Sequence, residues 1–298
     1  MKKEIELGKM NRLNVAKKVD FGYYLEGYVR GERIEVLLPN NEVNATLFQE
    51  EISQEVNVFI YLDQDERVTA TMKEPLAQVG DFAYLEVAWV NNFGAFLHWG
   101  PLKDLFVPFR EQKMKMQKGQ RYIVHLHIDP ESYRIMASAK IERYLSTDMP
   151  KYHYGQEVNI LIWQKTDLGL KAIVENKFGG LLYDNQIFRQ IKTGDRIKAY
   201  VTQVRPDGKI DLSLQAPGMR SVEDFSEVLL KHLHTNAGST TLGDKSPAEE
   251  VYAVFGVSKK VFKKAIGDLY KRHLILLTPD GLELTPEGWD ALPAEDAQ

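Results

Sequence analysis

Hydrophobic and polar residues alternate in short runs through the first two thirds of the chain. Val56, Val58, Ile60 and Leu62 take every second position, as do Val124, Leu126 and Ile128, and then Ile197, Ala199 and Val201. A period of two is that of a strand buried on one face. The strands recur in step with glycines. Gly8, Gly80 and Gly155 each stand 14 residues before a second glycine: Gly22, Gly94 and Gly169. Turns follow 25 residues after the last two, at Lys118-Gly119-Gln120-Arg121 and Thr193-Gly194-Asp195-Arg196. The first repeat has Ile52-Ser53-Gln54-Glu55 in that place, 31 residues on, and so carries a longer insertion. Each unit of about 70 residues predicts five short strands, which suit a small closed Greek-key barrel of the OB type. A glycine within a strand permits a bulge. Here it is expected to shift the pleat so that Phe93 and Phe96 share one face.

The period changes near Ala216-Pro217-Gly218, which reads as a linker. Val222 to Leu233 is helix-periodic, and Asn236 to Asp244 is a Gly/Ser/Thr-rich loop. Ser246-Pro247-Ala248-Glu249-Glu250 predicts a helix start, with Ser as N-cap and Pro in the first helical position. That helix is short because Gly256 follows Phe255, and Ser258 caps a second helix running to about His273. Leu274–Leu277, the turn Thr278-Pro279-Asp280-Gly281 and the alternating Leu282-Glu283-Leu284-Thr285 complete a hairpin. That order is the order of a winged helix. The expected architecture is therefore mainly β: three tandem five-stranded OB-fold barrels (1–72, 73–145, 146–216), then a C-terminal α+β winged-helix domain (217–298).

Composition narrows the chemistry. The 298 residues contain no cysteine, which removes disulfide scaffolds, cysteine nucleophiles and Cys-ligated metals. Charge at Lys2, Lys3, Glu4 and Glu6 interrupts what a signal peptide needs to keep apolar, and no apolar run approaches the ~18 residues of a membrane span. A cytoplasmic protein with no membrane partner is expected. The net charge of −4 excludes a uniformly basic nucleic-acid binder, so such a function must rest on local patches.

Those patches exist. The first and last segments carry nine basic against thirteen acidic residues each, whereas the two middle barrels carry ten against eight. Within the acidic last segment, Lys259, Lys260, Lys263, Lys264, Lys271 and Arg272 crowd one helix against Asp268 alone. The i, i+3, i+4 spacing lines up Lys260, Lys263 and Lys264, while Val261, Phe262, Ala265, Ile266 and Leu269 supply the core face. The second barrel offers Arg110, Lys113, Lys115, Lys118 and Arg121, and the third offers Lys171, Lys177, Lys192 and Arg196 among others. Aromatics stand close by. Phe93, Phe96, His98 and Trp99 crowd one strand of the second barrel and its exit, and Phe21, Tyr23, Tyr24 and Tyr28 do so in the first. Alternation points every second ring inward, so any one of them serves the core as readily as a ligand. Basic grooves with exposed rings hold single strands, each stacked base contributing ~1–3 kcal/mol.

A family likeness follows from these motifs. Phe93-Gly94-Ala95-Phe96-Leu97, Asp104-Leu105-Phe106-Val107-Pro108, Lys118-Gly119-Gln120 and Ile135-Met136-Ala137-Ser138 together resemble the OB-type RNA-binding domain named after ribosomal protein S-one. Gly179-Gly180-Leu181-Leu182-Tyr183, Lys192-Thr193-Gly194-Asp195 and Lys209-Ile210-Asp211-Leu212-Ser213 do so in the third repeat. The resemblance implies an RNA face made of two aromatics on the glycine-kinked strand, a histidine after the Gly-Leu-Val turn, and an Asp and a basic residue on later strands. Phe93 and Phe96 match the aromatics, as do Phe21 and Tyr24, and Asp129 and Asp63 fit the acidic position. Pro108 and Pro39 depart from the histidine, with Tyr183 there in the third repeat, while Leu168 and Lys171 replace that repeat's aromatics. The third barrel then binds through charge and Tyr183, or mainly scaffolds. Three such barrels and a winged helix over essentially the whole chain resemble the conserved virulence factor B family of bacterial regulators. That likeness implies RNA binding and control of gene expression without catalysis.

Metal-assisted phosphodiester cleavage needs clustered carboxylates. Glu50-Glu51, Asp63/Asp65/Glu66 and Glu249-Glu250 sit at turns or a helix start, where capping and solvation account for them. His125 and His127 share a strand face without a third ligand, which fits surface histidines better than a metal site. No phosphate-binding loop, nucleophile elbow or zinc-protease motif occurs. The expectation is a non-enzyme without cofactor, metal or small-molecule substrate, whose partner is single-stranded RNA. The rival readings are a DNA-binding regulator whose barrels dock protein, and an adaptor for ribosome-associated proteins.

Overall fold

The computed structural model describes residues 4–44, 53–184, 187, 190–214 and 222–291; the Glu50-Glu51 pair and the Ala216-Pro217-Gly218 linker lie outside them. The chain divides into two compact units, Met1–Leu145 and Ser146–Gln298.

The first unit holds two barrels. In the first, β1 (Met10–Val19), β2 (Gly22–Val29), β3 (Glu32–Pro39), β4 (Glu55–Leu62) and β5 (Val68–Thr71) close in the order β1-β2-β3-β5-β4. The second repeats that order with β6 (Phe82–Val90), β7 (Gly94–His98), β8 (Leu105–Pro108), β9 (Arg121–Ile128) and β10 (Ile135–Ser138). Closure leaves no unpaired sheet edge. The alternating positions behave as their period demands: Val56, Val58 and Ile60 are buried, as are Val124 and Leu126, while Ile128 has drifted to the surface at its strand end.

In the second unit, β11 (Glu157–Thr166), β12 (Gly169–Val174), β13 (Phe178–Tyr183), β14 (Arg196–Val204) and β15 (Ile210–Ser213) close a third barrel of the same strand order. The repeat extends to backbone detail. The turn expected in each barrel is a left-handed position, glycine at Gly119 (φ 78) and Gly194 (φ 97) and Ser53 (φ 72) in the first. In all three, its N–H returns to the bulged strand, on Val15, Val87 and Ile162 respectively.

The glycine opening β2, β7 and β12 works differently from the sequence expectation. A Cβ on Gly22, Gly94 or Gly169 would lie 2.3, 2.3 or 2.2 Å from the carbonyl oxygen of Leu38, Val107 or Leu182. These glycines let neighbouring backbones approach. The bulge lies instead in the preceding strand, between Val15 and Lys17, Val87 and Trp89, and Ile162 and Gln164.

The two barrels of the first unit are built into each other. Phe59 and Tyr61, from β4, belong to the second barrel's core, where Phe59 meets the buried Trp99 edge to face at 5.4 Å. Met10 N–H donates to Gln78 Oε1 at 2.9 Å, Val79 N–H to the Gly8 carbonyl at 2.8 Å and Lys103 Nζ to the Asp63 carbonyl at 2.8 Å. A 3-10 turn after the third strand also recurs. Its glutamate accepts a hydroxyl hydrogen bond from the fifth strand at 2.6 Å, Glu42 from Thr71 and Glu111 from Ser138.

The winged helix comprises α1 (Val222–Thr235), β16 (Ser239–Thr240), α2 (Ala248–Phe255), α3 (Lys259–Lys271), β17 (Ile275–Thr278), β18 (Gly281–Leu284) and α4 (Pro286–Asp290). Its core gathers Phe225, Leu229, Leu233, Phe262, Ala265 and Leu269, so α3 buries the stripe that its spacing defines. Gly256 ends α2 in the left-handed conformation, and Ser258 Oγ caps α3 by accepting from the Val261 N–H. Two local expectations change. Pro247 itself occupies the α2 cap position, and the Ser246 hydroxyl accepts from the Gly243 N–H. The polar loop supplies β16, which pairs with β18 to make the sheet three-stranded.

Candidate nucleic-acid interface

An open groove of about 1110 Å³ runs along the outer face of β7 in the first unit. Trp89, Phe93, Phe96 and Phe106 form its apolar wall, Arg110 and Asp129 stand at one side, and Leu62 and Glu66 reach it from the first barrel. Register explains the gathering. Trp89 on β6 and Phe106 on β8 both lie directly across from Phe96, and cross-strand neighbours on one face touch. Trp89 and Phe96 stack at 3.7 Å with planes 2° apart, and Phe106 lies 4.9 Å from Phe96. Phe93 precedes the strand, 74% exposed, in a turn held by its own N–H and that of Gly94 on Asn91 Oδ1. Phe93 and Phe96 thus do line one groove, although the expected glycine bulge is not what puts them there.

Alternation along the chain does not mark Trp89 as an outward residue. Strict alternation from Leu85 and Val87 points it inward, and the bulge at Ala88 turns it out. One signal was present: Lys17, Trp89 and Gln164 each stand five residues before the repeat glycine, and a lysine and a glutamine mark an outward position.

Polar groups at the groove are partly engaged. The Asp129 carboxylate accepts from the Ser132 hydroxyl at 2.7 Å and its N–H at 2.9 Å, and those bonds hold it below the usual carboxylate range. Arg110 stands 3.5 Å from Asp129 with its side chain largely exposed, and Arg134 pairs with Glu66 of the first barrel. At the first barrel's equivalent of Asp129, burial pushes Asp63 upward. Hydrogen bonds from the Arg67 backbone and side chain outweigh that and lower it.

Of the five basic residues expected on this barrel, only Arg110 lines the groove. Lys113 pairs with Glu142 at 2.7 Å, Arg121 with Glu86 at 3.1 Å, and Lys115 lies 5.8 Å above the Phe109 ring. Lys118 is exposed beside Gly119, and His98 is exposed at the end of β7, opposite Glu86. Trp99 is core, its indole N–H donating to the Lys103 carbonyl at 2.7 Å. On the first barrel Phe21 is exposed and meets Tyr24 edge to face at 6.4 Å, and Lys17 Nζ sits 4.6 Å over the Tyr24 ring.

In the third barrel the matching face is occupied by its own residues. Register places Pro39, Pro108 and Tyr183 at one position, opposite Gly22, Gly94 and Gly169. Arg205 donates to the Tyr183 hydroxyl and to Asp211 Oδ1, each at 2.6 Å. Lys171 lies 5.0 Å over Trp163, and Lys177 pairs with Asp148 at 3.2 Å. The Lys192 N–H donates to Asp195 Oδ2, and Arg196 borders a separate hollow of about 420 Å³. On α3, Lys260, Lys263, Lys264 and Lys271 are exposed, Lys259 reaches the Lys245 carbonyl at 3.4 Å, and Arg272 pairs with Asp268 at 3.3 Å.

The paired histidines are not surface groups. His125 stacks on Tyr144 at 4.1 Å and His127 lies tilted against it at 5.0 Å, and both Nδ1 atoms are shielded without a hydrogen-bond partner. Burial pushes His125 down to about 4, and the neighbouring His127 adds to the shift. Among the described residues no group of three or more His, Asp or Glu is arranged to hold a metal ion. No described helix is long and apolar enough to cross a membrane.

Residues 7–73 match the family model of the S1 domain, and residues 227–284 match that of the CvfB-like winged helix domain. The S1 match covers the first barrel, and the second and third share its strand order. Conserved virulence factor B of Staphylococcus aureus is 24% identical over 97% of this chain and 98% of its own. The chain is similar to conserved virulence factor B over nearly its whole length. The uncharacterised protein YitL of Bacillus subtilis aligns at 28% identity over 89% of both chains. A crystal structure of a multidomain protein with nucleic acid binding domains from Streptococcus pneumoniae is 24% identical, covering 94% of this chain and 98% of that one, with a TM-score of 0.40. The alignment with conserved virulence factor B thus spans the residues of both domain matches.

Proposed function

We propose that the chain is a non-catalytic RNA-binding protein that holds single strands in the groove of the second barrel and acts in the control of gene expression. One observation carries the reading: an open groove walled by four aromatic side chains, with the Arg110 guanidinium at its side, on a barrel with the strand order of the matched S1 domain. Every base has a π-face, so such a wall binds with low sequence preference, while cations take the phosphates. Arg110 lines the groove together with Lys103 and Arg134, whereas Lys113, Lys115, Lys118 and Arg121 contribute by charge from outside it. Single-stranded RNA is the expected ligand, in the cytoplasm.

Titration of labelled single-stranded RNA, single-stranded DNA and duplex at several salt concentrations tests this. RNA preference with a steep salt slope supports it. Duplex preference favours a second reading, in which the exposed Lys260, Lys263 and Lys264 of α3 face DNA phosphates and the barrels dock protein. Absence of binding at low salt leaves an adaptor for ribosome-associated proteins.

A further inference from the structure

We infer that the base-stacking surface of the groove is the indole of Trp89, with Phe96 as its backing and Asp104 as its positioning residue; this rests on the single-strand reading above. Phe96 is flanked from both neighbouring strands, by Trp89 on β6 and by Phe106 on β8. A ring enclosed in this way presents little face to a base. Trp89 differs: one face is taken by Phe96, yet the residue remains 43% exposed. The face turned away from Phe96 is the one left for a base. On the edge, the indole Nε1–H donates to Asp104 Oδ2 at 2.9 Å, so the ring is fixed in rotation as well as backed. A fixed aromatic platform loses little side-chain entropy when a base settles on it.

The three barrels sharpen the assignment. The position carries Lys17 in the first and Gln164 in the third, so only the second barrel offers a ring there. Lys17 covers Tyr24 with a cation where Trp89 covers Phe96 with an indole. A strand that stacks should therefore find its principal platform on the second barrel.

The test uses the full chain and a twelve-nucleotide polyuridine RNA. Stacking on an indole quenches its fluorescence, so unlabelled RNA should quench the wild-type protein. Trp89→Phe should bind within about 3-fold of wild type and lose that quench, Phe retaining the contact with Phe96. Trp89→Ala should weaken binding by about 5- to 100-fold with an unchanged salt slope. Asp104→Asn should bind more weakly by a few-fold and keep the quench. The variants replace groups at the surface, and unchanged thermal melting checks that they fold. Wild-type affinity in Trp89→Ala, or a full quench persisting in Trp89→Phe, overturns the inference while RNA binding stands. A wild-type chain that binds no RNA at low salt removes the single-strand reading, and this inference with it.

Discussion

The second and third barrels share strand order, the position of the bulge and the glycine that admits the neighbouring backbone, yet their outer faces have opposite character. Where the second presents Trp89, Phe93 and Phe96, the third presents Gln164, Leu168 and Lys171. Where the second has the groove-lining Asp129 after its fourth strand, the third has Arg205, locked onto Tyr183 and Asp211. Inward positions set the barrel, and outward positions are free to diverge because they cost the core nothing. One barrel leaves aromatic rings along an open groove; the other closes its tyrosine and arginine on each other.

The largest expected effect attacks what the barrels have in common. Gly94→Ala and Gly169→Ala should each cost ~3 kcal/mol in chemical denaturation, because the new Cβ meets a carbonyl oxygen at 2.3 or 2.2 Å and the backbone must yield. A cost at only one of the two would show that the shared frame is not equally tight. The next prediction separates the faces. Phe93→Ala with Phe96→Ala should reduce single-strand affinity at least 10-fold at constant salt slope, whereas Leu168→Ala with Lys171→Ala should change it less than 3-fold. Equal losses would erase the distinction.

A pH experiment distinguishes them through stability. The His125 position of the second barrel is Tyr200 in the third, hydrogen-bonded to Glu157 at 3.1 Å. His125 is held neutral down to about 4 against an ordinary 6.5. Between those values the unfolded chain takes up a proton that the folded one refuses, so stability falls as pH drops from 6.5 to 4 and is unaffected by His125 above 6.5. The loss should be on the order of 2 kcal/mol after allowance for partial exposure. Melting of wild type and His125→Asn across that range measures it, and parallel curves would refute it. The smallest effect is expected for Tyr183→Phe: about 1 kcal/mol from the Arg205 hydrogen bond, and no change in RNA affinity.

The barrels and the winged helix were legible because their signals are backbone requirements: left-handed turns, a glycine without room for Cβ, a helix stop at Gly256. Phe93 and Phe96 were legible through their place beside Gly94. Trp89 was hidden by a one-residue bulge that reverses the face of everything after it, and a single strand read alone carries no mark of where alternation breaks. Nor could spacing show that Lys113 and Arg121 face acids, since Glu142 and Glu86 lie 29 and 35 residues away in sequence. His125 and His127 deceived for a related reason: their cover is Tyr144, which follows the barrel's last strand.

The segment that joins the first two barrels has no freedom to act as a hinge. Leu76, Val79 and Gly80 each donate a backbone hydrogen bond, to Trp99, Gly8 and Leu126, and Phe59 crosses into the neighbouring core. The two barrels should therefore melt in one step. A ligand bound in the groove would meet a cleft whose width is already set, with no entropic penalty for bringing separate bodies together.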